Sequence, residues 1–509
     1  MIKKIIKPVI KPFIIVVLVL VIVFSICYIT VTNNVNITIN TDETYQTVQG
    51  FGASSAWYFK KLGAIEDNTV KEEIIEMLYG DSGMKLSSFR YNIGAGSEEI
   101  EEIINYSEPY RMAESFFISE NYMDKSSFAD IDNYNFTRDA DVISLMEMAL
   151  AKNNINKVVL FANSPHYLMT ESGMTNGEYE YQNNLSEEYY SAYSDYLLII
   201  ANNIYQNIIL NYGNDIKIYI SPVNEPQWRW GGEYASQEGC HYDPQELAAF
   251  YDVFYTKLTD FNVTNGTSFV VDIFESGNYK LTNIRKYFDE FSKYEWFKEI
   301  DEISVHSYSV NDNKSKKTRF RNYMDRNYSD YSISMSEYCE MEWGRDTSID
   351  SGLLTGRIIL RDMGLFNANE WSWWLALSIG DYNDGLVYWD YNEETTESDI
   401  SVLKRYYTMS HFSRYLSAGD IRIGLADSDK LNISGIDSIA FKKENGDIVI
   451  IMINNTNLTR NITIRGDYTS MTTVTTSTSK NLEEISSEYN NKIELEEKSI
   501  TTIILAENN

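Results

Sequence analysis

Histidine, cysteine and positive charge are scarce in this chain of 509 residues. Of three cysteines, Cys27 falls within an N-terminal apolar run, which leaves Cys240 and Cys339 for the folded part. No Cys-x-x-Cys pair and no His-rich cluster occurs, so a structural zinc site is not expected, nor any other metal or organic cofactor. Lysine and arginine number 43 against 74 Asp and Glu, for a formal net charge of −31. Such a field repels phosphate backbones and anionic membrane surfaces, which sets nucleic acid aside as a partner and fits a neutral polymer better. Repeats of solenoid length are also absent. What remains, 43% apolar and 23% charged residues, is the balance of an ordinary globular protein, long enough for a large barrel and a smaller domain.

Aromatic residues are plentiful: 14% of the chain, with nine Trp and 39 Tyr. Most such rings pack in cores, but rings on loops after strands can stack on the apolar faces of sugars. One long apolar run is present, Phe13 to Thr30, preceded by the basic stretch Met1 to Pro12. Positive charge before an apolar segment of this length predicts an N-terminus held in the cytoplasm and an exported remainder. No small-x-small cleavage signal stands near Thr30, which favours an uncleaved signal anchor over a cleaved secretory signal. Either way the rest of the chain is expected outside the membrane, on the extracellular face or secreted, touching the membrane through this segment alone.

After residue 33 the texture is periodic. Val35 to Asn40 alternates apolar and polar residues like a half-buried strand. Eight strand-like runs then alternate with helical patterns. The runs are Val48–Trp57, Leu86–Ile93, Lys157–Asn163, Ile216–Ile220, Ser268–Phe274, Ile303–Tyr308, Tyr331–Glu337 and Asn369–Leu375. Helices are predicted near 69–79, 138–152, 190–208, from Asp243, near 282–294, 318–327, 349–363 and 402–416. Asp243-Pro-Gln-Glu246 has a capping residue, a first-turn proline and a capping-box glutamate. This is the pattern of a closed (β/α)8 TIM barrel. From Ile421 short alternating strands take over, with Glu444-Asn-Gly-Asp447 as a hairpin turn. The expected division is 1–32 anchor or signal, 33–46 a strand joining the side domain, 47–418 barrel and 419–509 β-sandwich.

Two carboxylates end strands of this pattern, Glu225 in Ser221-Pro-Val-Asn-Glu-Pro-Gln-Trp-Arg-Trp230 after the fourth and Glu337 after the seventh. Alone, an Asn-Glu-Pro is as readily a turn with a solvated glutamate. A pair facing each other across a barrel mouth, one protonated and one ionised, is the equipment of a retaining glycosidase. Glu340 and Glu342 rival Glu337 by composition, but they fall in the loop beyond its strand. Arg90 ends the second strand, and His306 and Tyr308 end the sixth. A histidine there is either a core imidazole or a functional one. Three of the four histidines (His166, His241, His306) fall on segments of the expected catalytic face, which favours function. Trp57, Trp228, Trp230, Trp373 and Trp374 are candidate stacking platforms, although one of the adjacent Trp373 and Trp374 must face the helices.

The motifs together resemble glycoside hydrolase family 30, in the large clan of retaining (β/α)8 glycosidases. Val48-Gln-Gly-Phe-Gly-Ala53 resembles its first-strand signature, Asn224-Glu225-Pro226 its acid/base motif and Ser336-Glu337-Tyr338 its nucleophile segment. The resemblance covers nearly everything after residue 35 and implies a side β-domain built from both termini. It implies Glu225 as general acid/base, Glu337 as nucleophile, Asn224 on the 2-hydroxyl of the sugar, and Arg90 holding the nucleophile ionised. The segments around Asn163 to Thr170 (with His166 and Tyr167), Gln237 to Cys240 and Ser336 to Cys339 are most similar to the endo-β-1,6-galactanase-like subgroup. The substrate implied is a polysaccharide of galactan type, cut by a monomer. Other activities of the family (β-1,6-glucanase, glucosylceramidase, xylanase) stay open, as does a surface glycan-binding protein on an inactive barrel. Binding alone needs no acid–nucleophile pair, which argues against the last. Cys240 and Cys339 fall on loops of one face, where a disulfide between them is an expectation.

Overall fold

Strands covered on both faces read as continuous apolar runs, and parallel pairing is what such runs adopt. The structure, a computed structural model, describes residues 18–19, 34–100, 109–119, 124–231, 236–277, 279–426 and 435–507. The expected anchor or signal segment lies outside these residues except for Leu18 and Val19. No helix among the described residues is long and apolar enough to cross a membrane.

Residues 46–419 form one compact unit. Its strands are β2 (Gly50–Ser54), β3 (Ser88–Asn92), β4 (Lys157–Phe161), β5 (Lys217–Ser221), β6 (Val270–Val271), β7 (Glu302–His306), β8 (Ser332–Glu337) and β9 (Ala368–Ser378). Parallel pairing runs from β9 through β2, β3, β4 and β5 to β6, and from β7 through β8 back to β9. Closure comes beyond the short β6, where Ser276 bridges Val305 of β7 and Ile273 O accepts from Ser304 N at 2.9 Å. All eight expected strands are present and form the (β/α)8 barrel.

The predicted helices also form, with ends that shift by a few residues. The one after β7 begins at Lys314, ahead of the expected 318, capped by Asn313, which accepts from Lys316 N. The helix after β5, Pro244–Asn265, starts as its sequence suggests, with proline in the first turn. Asp243 makes no side-chain cap, however, because its carboxylate turns to His241 Nε2 at 3.4 Å. Two strands went unforeseen: β10 (Gly385–Tyr391) extends β9 in parallel and β11 (Ser398–Val402) returns antiparallel to it.

The described residues of 34–45 and 420–507 belong to the second unit. Nine strands build a β-sandwich whose order places β1 (Asn34–Thr47) between β12 (Ile421–Ala426) and β15 (Arg460–Arg465). β1 pairs in parallel with β15, so Val35 and Ile37 join Ile450, Met452, Ile462 and Ile464 in one core. Between β13 (Ile436–Lys442) and β14 (Ile448–Asn454) the expected hairpin turn closes with Lys443 N to Asp447 O at 2.8 Å, Gly446 taking φ +94°.

The amino end of the barrel holds buried charge. Lys157, 4% exposed, reaches Glu370 at 2.5 Å and Glu302 at 3.5 Å, with its ammonium 3.7 Å from the centre of the Tyr219 ring. Gln49 and Asn369 donate to Glu302 at 2.9 and 2.6 Å, and Ser334 donates to Glu370 at 3.2 Å. A carboxylate pair left there without its cation is costly, so Lys157→Met is expected to destabilise the protein by about 3–5 kcal/mol. Adding Glu370→Leu should recover part of that loss. Urea midpoints of both variants test this, and an unchanged midpoint in Lys157→Met would refute it.

Candidate active site

Beyond β5, Pro222 removes a donor from the ladder and the strand cannot continue. The chain turns sharply: Glu225 takes φ +45° and its N–H donates to Glu275 O at 2.8 Å. Trp57, Trp230, Phe274 and Glu275 also have positive φ. Such backbone costs about 1–3 kcal/mol per residue and persists where a site over-determines it. Glu337 ends β8 directly, Arg90 stands within β3, His306 ends β7, and Tyr308 follows two residues on.

These side chains converge. One carboxylate oxygen from each of Glu225 and Glu337 and one ring nitrogen of His306 lie within 4.8 Å of one another. Arg90 donates to Glu337 Oε2 at 2.5 Å and to Asn224 Oδ1 at 3.3 Å. Tyr308 Oη donates to Glu337 Oε1 at 3.0 Å. Asn224 Nδ2 donates to Asn163 Oδ1 at 3.0 Å, so the amide orientation is fixed from both sides. His306 bridges Glu225 Oε1 at 2.9 Å through Nδ1 and Glu275 Oε2 at 2.6 Å through Nε2.

Glu275 is the residue that the sequence did not reveal. It is fully buried, 3.6 Å from Arg90, and accepts from Ser336 and from Ser221, the latter at 3.4 Å. Its position just past the two-residue β6, in Glu275-Ser276-Gly277, carries no motif. The only sequence signal was an acidic residue at a strand end. Gly277 has a reason of its own: a Cβ there would lie 2.4 Å from Glu225 Oε1 and 2.2 Å from Gln227 Nε2.

Three buried carboxylates face two cations. Burial works against each charge, but the charges of Arg90 and His306 and the hydrogen bonds of His306 and Ser336 hold Glu275 far below the carboxylate range. Burial would likewise lower His306, yet Glu337 and the bonds to Glu225 and Glu275 lift it to about 10. Glu225 shifts upward: burial raises it, the His306 bond and charge oppose, and the Glu337 charge adds to the rise. Burial and the neighbouring Glu337 charge thus favour the protonated form of Glu225.

Above this cluster opens a cleft of about 680 Å³. Trp57, Asn224, Glu225, Trp228, Trp230, Tyr308, Glu337 and Trp374 line it, together with Arg111, Trp343 and Tyr382, which sequence reasoning did not single out. Trp57 and Trp374 meet edge to face with centroids 5.2 Å apart. Trp230 Nε1 donates to Glu225 O at 3.1 Å. Trp343 is 86% exposed at the rim.

Other expected site residues lie elsewhere. Trp373 points to the helices, fully buried between Trp371, Tyr338 and Arg405, because neighbours on β9 face opposite sides. His166 is a core imidazole: it is buried, contacts Ser115 Oγ at 3.0 Å and accepts from Leu168 N, and burial lowers it to about 3. Tyr167 stacks on His166 and does not line the cleft. Cys240 and Cys339 are free, not bridged. Each thiol is buried with different neighbours, Cys240 against His241 O at 3.6 Å and Cys339 against Tyr308 at 3.8 Å. Of the rival carboxylates, Glu340 accepts from Ser351 and Thr355 behind the strand, and Glu342 is exposed.

Comparison with known proteins agrees with this picture. Residues 34–388 match the family model described as O-Glycosyl hydrolase family 30, and residues 419–503 match the glycosyl hydrolase family 30 beta sandwich domain. An endo-β-1,6-galactanase of Hypocrea rufa is 24% identical over 400 residues, covering 76% of this chain and 75% of its own. A conserved exported protein from Bacteroides fragilis superposes with a TM-score of 0.78 at 23% identity, over 92% of this chain and 99% of that one. The catalytic domain of xylanase C from Talaromyces cellulolyticus gives 0.70 at 18% identity, over 92% and 100%.

The charge count at the cluster is testable through Glu275→Gln. His306, raised above its ordinary value of 6.5 to about 10, stabilises the fold fully below pH 6.5 and loses that contribution as pH rises through 10. Glu275, depressed below 4.5, contributes fully above that value and loses its contribution only in strong acid. Removing the Glu275 charge should lower the His306 titration and move the alkaline loss of stability to lower pH. Imidazole resonances followed by NMR, with urea midpoints across the same range, measure both, and a His306 titration unmoved near 10 is the contrary result.

Proposed function

Since the chain belongs to glycoside hydrolase family 30 and is a glycosidase, we propose that it is a retaining endo-β-1,6-galactanase working by double displacement. The observation that carries the mechanism is the closeness of the two carboxylates, with oxygens of Glu225 and Glu337 within 4.8 Å. Retaining enzymes hold their carboxyl groups about 5–5.5 Å apart, whereas inverting enzymes leave about 6.5–9.5 Å for a water.

Glu337 is the nucleophile. Two donors, Arg90 and Tyr308, bind its oxygens and orient it for attack on the anomeric carbon. Glu225, raised by burial, donates its proton to the departing glycosidic oxygen as that bond breaks. The glycosyl–Glu337 ester then yields to water, from which Glu225 takes a proton, and Glu337 leaves as carboxylate. Asn224, held by Arg90 and Asn163, keeps one N–H for the 2-hydroxyl of the sugar. The Trp57, Trp228 and Trp374 rings line the cleft where sugar faces would stack.

The choice of β-1,6-linked galactan is supported by the Hypocrea rufa relative and by the motif similarity around Asn163, Glu225 and Cys339. Action on an extracellular polymer suits the basic, then apolar, N-terminal segment.

Glu337→Ala is expected to lower turnover of every substrate by roughly 10⁴-fold or more. Glu225→Ala should keep the first step on aryl glycosides with good leaving groups, accumulate the glycosyl-enzyme, and regain turnover with azide as a glycosyl azide of retained configuration. Equal loss on all substrates without azide rescue would reverse the role given to Glu225. Product analysis on β-1,6-galactan, β-1,3-galactan, β-1,6-glucan and xylan tests the substrate. Oligosaccharides released from β-1,6-galactan alone are expected, and a preference for xylan or glucan would overturn the galactan reading while leaving the chemistry intact.

A further inference from the structure

Positive charge is rare on this chain, yet it is concentrated on one helix. Lys314–Asn327 holds six Lys and Arg and one Asp; Lys317 is buried on Asp362 and Arg321 pairs with Asp325, while Lys314, Lys316, Arg319 and Arg326 are exposed. This helix and the preceding one, Leu281–Phe291, flank a groove of about 990 Å³ on the outer wall of the barrel. One wall is the i, i+4 stripe Leu281, Arg285 and Asp289. The other is Lys314, Thr318, Asn322 and Arg326, with Arg319 beside it. Tyr323 and Tyr328 line the groove as well, and the Arg285 guanidinium sits 5.1 Å from the centre of the Tyr323 ring.

We propose that this groove is a second glycan-binding site, separate from the catalytic cleft, for an anionic polysaccharide chain that bears carboxylates. Three observations support an extended chain. The cations run from Lys314 to Arg326, a rise of about 18 Å along the helix. The surface is concave and flanked from both sides, which suits a strand of polymer better than a flat lipid surface. Half-buried tyrosine faces beside guanidinium groups match sugar rings beside carboxylates. The overall charge of −31 opposes any polyanion, so the chain is held only where the cations of the groove act on it within a Debye length, which makes the binding salt-dependent.

In a barrel of this kind each helix begins at the face where the strands end. Leu281 and Lys314, the first residues of their helices, therefore open the groove toward the side that carries the cleft. A polymer with acidic stretches would be held there while a neutral stretch meets the carboxylates. The inference stands whichever neutral sugar the cleft cuts.

The test is affinity electrophoresis of the full chain and of Arg319→Glu/Arg326→Glu in gels containing polygalacturonate, neutral β-1,6-galactan or no polymer. Polygalacturonate should slow the wild type at low salt and release it at high salt. The charge-reversed variant should bind this polymer roughly tenfold or more weakly, with an unchanged thermal midpoint. Arg285→Gln, on the facing helix, should weaken binding in the same direction and covers the case in which the double variant does not fold. Wild type that polygalacturonate does not slow, or variants slowed equally, would overturn the proposal. So would binding to vesicles of anionic phospholipid without binding to polygalacturonate.

Discussion

The hydrogen bonds that His306 makes to Glu225 and Glu275 set the electrostatics of the whole barrel mouth. An imidazolium between two carboxylates keeps Glu275 ionised, and Arg90 keeps contact with both Glu275 and Glu337. Beside them burial and the neighbouring Glu337 push Glu225 the other way, toward holding a proton. The difference between two chemically identical side chains thus arises one layer below the cleft, from residues that do not line it. The positive-φ turn at Phe274-Glu275 is what delivers that layer, since it carries the chain from β6 to the bridge that closes the barrel.

The same barrel places charge at both ends and apolar residues between. Lys157 with Glu302 and Glu370 at the amino end mirrors Arg90 and His306 with three carboxylates at the carboxyl end. Each end carries one more carboxylate than cations, and at the amino end Gln49, Asn369 and Ser334 supply further donors. Only the mouth opens on a cleft, where a proton can be exchanged with a bound molecule.

Most of this was legible in the chain. All eight strands could be read because each contains a short apolar run, and Glu225 and Glu337 stood out as carboxylates at or just beyond the ends of two of them. Trp374 and Trp373 show the limit: strand alternation says that one faces inward, but only the register of β9 decides which. His166 looked functional from its place after β4, yet packing against Phe117, Phe128 and Tyr196 makes it a core ring. Glu275 was hidden although its strand was read, since it follows Phe274 directly with no motif around it and its bonds to His306 and Ser336 come from distant strands. The expected disulfide failed because two cysteines can share a face and still point into separate packing environments.

β1 pairs in parallel with β15, joining Asn34 to Asn461 across 427 positions of the chain. At about 5–20 residues per second, synthesis leaves this strand without its partners for roughly 20–85 s, while the entire barrel is made. Its sequence suits that wait. Asn36, Thr38 and Asn40 alternate with the apolar residues, and Asp42 and Glu43 follow, so an unpaired edge is poorly suited to self-association. The sandwich can close only once the strands between residues 421 and 507 have been made, so β1 stays an unpaired edge until the barrel is already complete.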